Sequence, residues 1–309
     1  MSAAVFEHEP VMCDEIVELF ANVPAGCILD GTLGGGGHSR ALLESRADIS
    51  ILGIDRDDAA IDAARRSLAK FGDRVEYAHV RFDELDVAMS AHGVESLAGA
   101  LFDLGVSSHQ FDEAERGFSY RESSRLDMRM DRREGRSAHH LVNEASESDL
   151  ADLIREYSDE RFAARIARAI VAARPIDTTS ELAEIVAGAI PAPARRRGGH
   201  PAKRTFQALR IAVNRELDVL PIALDQAIAR TVSGGRIAVL SYHSGEDRIV
   251  KERFRFHSTG GCHCPSDLPC VCGARPTVRL VRAPRQPSTS EQSRNPRSTS
   301  ARLRVAEVI

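Results

Sequence analysis

The chain has 309 residues, 43% apolar and 28% charged, which suits one or two folded domains and excludes a largely disordered protein. Its 41 basic and 45 acidic side chains leave a net charge of -4, so overall charge alone points to no polyanion. No apolar run reaches the ~18 residues of a membrane span, and the first residues lack a signal-peptide pattern. Six cysteines, unevenly placed, do not make a secreted disulfide scaffold, and a cytoplasmic enzyme is expected. Charge is unevenly spread. Residues 1–115 hold 22 acidic and 8 basic side chains, and residues 116–309 hold 23 and 33. That asymmetry suits a cofactor-binding part joined to a part that meets a polyanion, or an accident of surface composition.

Cys27–Asp30 and Ile49–Asp55 read as buried strands, separated by a glycine cluster and a helical stretch over Ser39–Arg46. A helix from Asp58 to Lys70 puts Ile61, Ala64 and Leu68 on one face, and strands follow over Val75–Phe82 and Ala100–Leu104. Such alternation predicts an α/β, doubly wound, Rossmann-like sheet. After residue 115 the pattern turns helical. Segments 149–157, with Ser148 as N-cap, 159–173, and a helix from a Thr178/Glu181 capping box to Ile190 are expected. Residues 115–205 are therefore read as an all-helical insertion, with 1–114 and 206–309 forming one discontinuous sheet domain. Thr205 is expected to cap a helix carrying Phe206, Leu209, Val213, Leu217 and Leu220. Arg236–Ser241 reads as another buried strand. Thr277–Val281 and Arg302–Val308 suit a closing antiparallel pair, with 284–301 as loop between them.

The glycine cluster, Asp30-Gly31-Thr32-Leu33-Gly34-Gly35-Gly36-Gly37-His38, sits between a strand and a helix. Glycines there let a ligand approach the backbone, beside the N–H groups of the next helix. The dinucleotide spacing fails, because counting from Gly34 its last position is Ser39 and from Gly35 it is Arg40. No lysine follows to make a phosphate-binding P-loop. Asp55 at the tip of the second strand can accept ribose hydroxyls, and Asp30 can face an ammonium group. An acid at each end of the loop fits S-adenosyl-L-methionine, while a purely structural glycine turn stays open. Asp103-Leu104-Gly105-Val106-Ser107-Ser108-His109-Gln110 begins where the fourth strand ends, and so belongs to the same rim.

With these segments, the chain resembles the bacterial small-subunit ribosomal RNA methyltransferase H family over nearly its whole length. The resemblance is carried by His8-Glu9-Pro10-Val11, the glycine cluster, Gly53-Ile54-Asp55-Arg56-Asp57 and Asp103-Leu104-Gly105-Val106-Ser107-Ser108. It continues in Glu115-Arg116-Gly117-Phe118-Ser119, Leu126-Asp127-Met128-Arg129-Met130-Asp131, Arg204-Thr205-Phe206-Gln207-Ala208-Leu209-Arg210, Ser241-Tyr242-His243-Ser244 and Asn295-Pro296-Arg297. The resemblance implies a class I S-adenosylmethionine-dependent methyltransferase fold with a helical insertion for RNA recognition. It implies methyl transfer to the N4 amine of a decoding-region cytosine. It also implies cofactor contacts at Gly36, Gly37, His38, Asp55, Phe82, Asp103 and Gln110. The family has a larger apolar residue at Gly245 and a proline at His109, so the loops there are less constrained in this chain.

Cytosine N4 is a weak nucleophile because its lone pair is delocalised into the ring, so a group must accept an N4–H hydrogen bond and hold the amine in line with the methyl. Asp103 leads for that role, with Ser107, Ser108 and His243 as assisting polar groups; Asp103 as a pure cofactor ligand is the competing reading. Asp127, Arg129 and Asp131 suggest an ion-pair network. Seven basic residues and no acid in 190–215, and eight arginines with two acids in 274–309, suit phosphate contacts. Phe111, Phe118 and Tyr120 are candidates for stacking on a base. The expected partner is small-subunit ribosomal RNA within the assembled subunit; a homodimer is left open. Cys262-x-Cys264 and Cys270-x-Cys272 lack the usual two-residue spacing of a zinc site, so free thiols are favoured, with a structural zinc stabilising the 256–276 loop and redox pairing left open; methyl transfer needs no metal. Alternatives are a methyltransferase acting on a DNA or small-molecule amine, and a non-catalytic RNA-binding assembly protein. Assay on small subunits against duplex DNA separates the first; tight cofactor binding without turnover marks the second.

Overall fold

The computed structural model describes residues 10–106, 113–133, 135–195, 199–265 and 271–309. The chain divides into two compact units, Met1–Gly105 with Asp218–Ile309, and Val106–Leu217.

In the first unit, seven strands form one sheet in the order β3-β2-β1-β4-β5-β7-β6. They are β1 Gly26–Asp30, β2 Ile49–Asp55, β3 Val75–His79, β4 Leu97–Asp103, β5 Thr231–Ser241, β6 Val278–Val281 and β7 Arg302–Val308. The first five run parallel, while β7 pairs antiparallel with both β5 and β6. Parallel strands are covered on both sides, which is why they read as unbroken apolar runs. Ile28, Ile51, Leu101 and Leu240 pack into one core, and their neighbours Leu29, Leu52, Phe102 and Val239 into the other.

Several helices start where the sequence places them. Asp57 caps the helix Asp58–Leu68 through a bond from Ala59 N–H, and its face Ile61, Ala64 and Leu68 is buried. The third strand stops at His79, short of the expected Phe82, which opens a helical turn over Phe82–Glu84. Residues 284–301 contain a short helix, Thr289–Arg294, capped by Ser288. Its Glu291 accepts a bond from Met12 N–H at 2.9 Å, a tie between distant segments that Pro/Ser/Arg-rich composition hides.

The second unit is all helix and loop around its own core, with helices Ala138–Glu144, Glu147–Ser158, Ala163–Ala172, Thr179–Ala189 and Lys203–Asn214. The Thr178/Glu181 capping box is present, whereas the next cap is Ser146 rather than Ser148. This unit reaches past residue 205. Phe206, Ala208 and Leu209 are buried in its core, so Thr205 lies inside a helix and does not cap one. The expected single helix to Leu220 is broken at Arg215, whose left-handed backbone (φ 52°) separates Lys203–Asn214 from Glu216–Arg230.

Candidate active site

Strand order reverses between β1 and β4, and open α/β sheets bind ligands outside the carboxyl ends of the strands at such a point. Asp30, Asp55 and Asp103 end β1, β2 and β4. The sheet thus gathers three acids on one rim, each in a different environment.

Asp30 is turned inward. It is buried, accepts from Ser39 Oγ at 2.6 Å and from Thr32 N–H at 3.3 Å, and burial raises its pKa above the ordinary carboxyl value. These internal bonds brace the glycine loop from within. Asp55 accepts from the N–H of Gly34 at 2.9 Å and of Asp57 at 3.0 Å, and burial pushes its pKa up to about 6. Two bonds leave a carboxyl with further acceptor capacity, which suits a pair of ligand hydroxyls.

The glycines differ in purpose. Gly36 is left-handed (φ +78°), and a Cβ there would lie 2.9 Å from Leu68 Cδ1; one on Gly37 would meet Pro10 Cγ at 2.6 Å. Both let neighbouring segments close in. A Cβ on Gly35 would meet nothing within 4 Å, so only this glycine of the three faces open space. That opening, with Asp55 beside the loop, fits an adenosyl group approaching the backbone.

Asp103 is the most connected of the three. Its backbone N–H donates to Thr32 Oγ1 at 2.6 Å, Tyr242 donates its phenolic hydrogen to Oδ1 at 2.6 Å, and His38 Nδ1 lies 3.7 Å from Oδ2. The side chain stays 28% exposed, so the carboxyl is oriented from below and open above. Burial, followed by the Asp103 charge, raises the Tyr242 pKa well above its ordinary value, which keeps the phenol protonated as a donor. Tyr242 is fixed at its other end by a 2.7 Å bond from its N–H to Glu246, a buried acid. His38 is buried, with Nε2 2.9 Å from Val11 O, which ties the Pro10-Val11 segment to the rim.

Residues 5–309 match the family described as the MraW methylase family. The chain belongs to that family. A protein of Heliobacterium modesticaldum named ribosomal RNA small subunit methyltransferase H is 49% identical over 99% of both chains. One of the same name from Symbiobacterium thermophilum is 50% identical over 97% of this chain and 96% of the relative. A solved rRNA methylase from Streptococcus thermophilus gives a TM-score of 0.42 at 11% identity, covering 95% of this chain and 93% of that one, too distant to carry any role across.

Within this MraW-family chain, Gly36, Gly37, His38, Asp55 and Asp103 come together at the rim, with Asp103 oriented there by a side-chain bond from the end of the neighbouring strand β5. Phe82 is half-buried with its ring edge-on to Phe102, centroids 6.0 Å apart, so part of its surface is core packing. Ser107, Ser108, Gln110 and Phe111 lie outside the described residues. His243 works locally: it caps the helix Ser244–Thr259, its Nδ1 accepting from Glu246 N–H at 3.4 Å. Its buried Nε2 lies 3.1 Å from Glu246 Oε1 without the alignment of a hydrogen bond. Tyr242 escaped sequence reasoning, although it stands beside His243 in a quoted motif, immediately past the end of β5.

In the helical unit of this MraW-family chain, Phe118 is buried and Tyr120 stacks on His200 with centroids 4.3 Å apart, so both rings are engaged in packing. Asp127 holds Arg129 in a bidentate pair at 2.7 and 3.1 Å, and Asp131 pairs separately with Arg133 at 2.8 Å. Part of the basic charge is also spent internally. Arg210 is locked to Glu216 at 2.9 and 2.8 Å, Arg304 to Asp247 at 2.6 and 2.8 Å, and Arg279 to Glu307 at 2.6 Å. Arg196 and Arg197 lie outside the described residues.

Proposed function

We propose that this chain transfers a methyl group from S-adenosyl-L-methionine to the N4 amine of a decoding-region cytosine in small-subunit ribosomal RNA, in the cytoplasm and on the assembled subunit. Family membership supports methylation, and the names of the relatives support ribosomal RNA as substrate. The observation that carries the amine reading is Asp103, part-exposed at the switch point and oriented by Tyr242.

The donor would be held by the backbone around Gly35, Gly36 and Gly37, by Asp55 toward the ribose, and by Phe82 and Gln110 toward the base. It supplies an electrophilic methyl on a sulfonium. Asp103 accepts one N4–H hydrogen bond, which turns lone-pair density on nitrogen out of the ring and toward the incoming carbon. Tyr242 fixes the carboxyl so that this alignment is not lost to rotation. With the donor delivering its methyl to N4 and leaving as the thioether, Asp103 would take the proton that N4 loses and pass it to solvent. The family resemblance assigns Ser107 and Ser108 as assisting hydroxyls, and His243 acts through the helix cap that holds Glu246 beside Tyr242. Arginines outside the internal ion pairs contact phosphates, a sequence-independent attraction that weakens as salt rises.

The test is incubation with labelled methyl donor and small subunits lacking the modification, followed by mapping of the labelled nucleoside. N4-methylcytidine in the decoding region is the expected product. Label appearing only in duplex DNA, or cofactor binding without turnover on any RNA, overturns the reading.

A further inference from the structure

The segment of residues 260–277 joins the helix Ser244–Thr259 to β6. Its base is closed. Thr277 N–H donates to His257 O at 2.9 Å, and Gly260 (φ +61°) lies so near the returning chain that a Cβ would sit 2.4 Å from Arg275 O. Beyond that base, among the described residues, Val271 is 89% exposed. Yet three thiols converge there. The Sγ atoms of Cys262, Cys264 and Cys272 all lie within 4.8 Å of one another, with Cys262 and Cys272 3.6 Å apart and Cys264 N–H directed at Cys262 Sγ at 3.4 Å. None of the three is in a disulfide.

Cysteines without a bound partner usually sink into apolar interiors, and exposed ones oxidise. Cys262 and Cys264 on one side of residues 266–270 and Cys272 on the other gather three sulfurs on partly exposed chain, where burial in an apolar interior does not account for them. We propose that Cys262, Cys264 and Cys272 bind one Zn²⁺ as thiolates, a structural site that closes the loop. Tetrahedral zinc with ordinary Zn–S bonds sets sulfurs about 3.8 Å apart, within the range these atoms span. Spacing within the pair Cys262-x-Cys264 argued against a metal when read along the chain. Through space the decisive ligand is Cys272, ten residues on from Cys262, whose Sγ lies 3.6 Å from that of Cys262 and adds a third sulfur to the pair. Each thiol releases a proton to solvent on binding, and one corner of the tetrahedron is left for a further donor. Zinc there secures the end of the helix whose first turn positions Tyr242, and it takes no part in methyl transfer.

The full-length chain, expressed with zinc and purified reduced without chelator, is assayed for metal by mass spectrometry. About one zinc per chain is expected, lost in Cys262→Ser and in Cys272→Ser and kept in Cys27→Ser. Replacement by Co²⁺ gives a readout that needs no variant, a thiolate-to-cobalt charge-transfer band with tetrahedral d–d absorption. Substoichiometric zinc in the wild-type chain overturns the proposal. So does a Cys262–Cys272 disulfide in the reduced preparation, a cobalt complex without thiolate bands, or zinc retained in both serine variants. Methyl-donor binding stays within about twofold of wild type after chelation, which separates failure of this site from failure of the methyltransferase reading.

Discussion

Tyr242 and Asp103 stand 139 residues apart and meet in a 2.6 Å hydrogen bond at the rim of the sheet. Each sits at or just past the end of a strand, β5 and β4, and those strands are paired in register with Asp103 opposite Leu240. A phenol held protonated by burial therefore points at the acid proposed to meet the substrate amine. Removing that donor in Tyr242→Phe keeps the ring and its packing while freeing the carboxyl to rotate. A hydrogen bond to a charged group is worth about 1.5–3 kcal/mol, so kcat is expected to fall roughly 10- to 100-fold. Methyl-donor affinity, read by calorimetry, stays within a few-fold. Equal loss of affinity and rate would make Tyr242 a support for the cofactor instead.

Asp103→Asn asks more of the same site. The amide keeps the shape and loses the charge that draws the N4 proton, and general-base removal typically costs about 10²–10⁴ in rate. Loss of turnover with donor affinity preserved is the expected outcome in single-turnover assays. Joint loss would assign Asp103 to cofactor binding alone, the competing reading of this residue.

Asp55 gives a pH signature. Its carboxyl is raised to about 6 in the folded chain, so it is protonated below that pH and charged above it. The charged form is the stronger acceptor for ribose hydroxyls, so donor affinity rises as pH is taken from 5 to 7, by up to about tenfold per unit below the midpoint. Stability moves the other way. Between the ordinary carboxyl value of 3.8 and about 6 the folded chain holds a proton that the unfolded chain has released, so this group's contribution shrinks as pH rises. In Asp55→Asn, affinity is weaker and flat across that window. Calorimetric titrations at stepped pH check it, and a slope that survives the substitution rejects Asp55 as its source.

Much of this architecture was legible in the chain itself, for reasons that can be assigned. Parallel strands buried on both faces leave continuous apolar runs such as Ile49–Asp55, and the Thr178/Glu181 box marks a helix start through backbone chemistry that is local. What escaped was set by distance or by tertiary burial. Arg215 breaks a helix that periodicity carries through to Leu220, and the six-residue helix around Glu291 is too short to show a period. At the site, the acids were visible because strand ends are visible. Their division of labour was not, since Asp30 turns inward only because Ser39 and Thr32 meet it, and Asp103 outward only because Tyr242 arrives from β5.

The glycine loop separates packing from ligand approach by substitution. Gly36→Ala forces a side chain into left-handed backbone and against Leu68, at about 1–2 kcal/mol for the conformation alone. A lower melting temperature and weaker donor binding follow together. Gly35→Ala adds a methyl to open space, so stability changes by no more than about 0.5 kcal/mol. Donor affinity nevertheless falls, because the methyl occupies the approach to the backbone. Unchanged affinity in Gly35→Ala would move the ligand away from this loop.

Asn214 tests the helical unit. Buried near the end of its helix, it accepts from Met130 N–H at 2.8 Å and donates to Met128 O at 2.7 Å, while Arg116 donates to Met130 O at 2.9 Å. Met128 carries a left-handed φ of 59°, an unfavourable state for an unbranched side chain unless its surroundings hold it. One side chain thus secures the motif Leu126–Asp131, and the sequence resemblance in that motif is here given a mechanical cause. Asn214→Ala takes a partner from two backbone groups, each worth about 1–3 kcal/mol when buried. A destabilisation of roughly 2–4 kcal/mol is expected, with amide exchange at Met130 accelerated before that of the sheet strands. Asn214→Asp keeps an acceptor for Met130 N–H but sets a buried carboxylate against Met128 O, so at neutral pH its loss is at least that of alanine. If all three proteins melt together and Met130 exchanges at the same rate, the motif is held by Arg116 and core packing, and the asparagine is incidental to it.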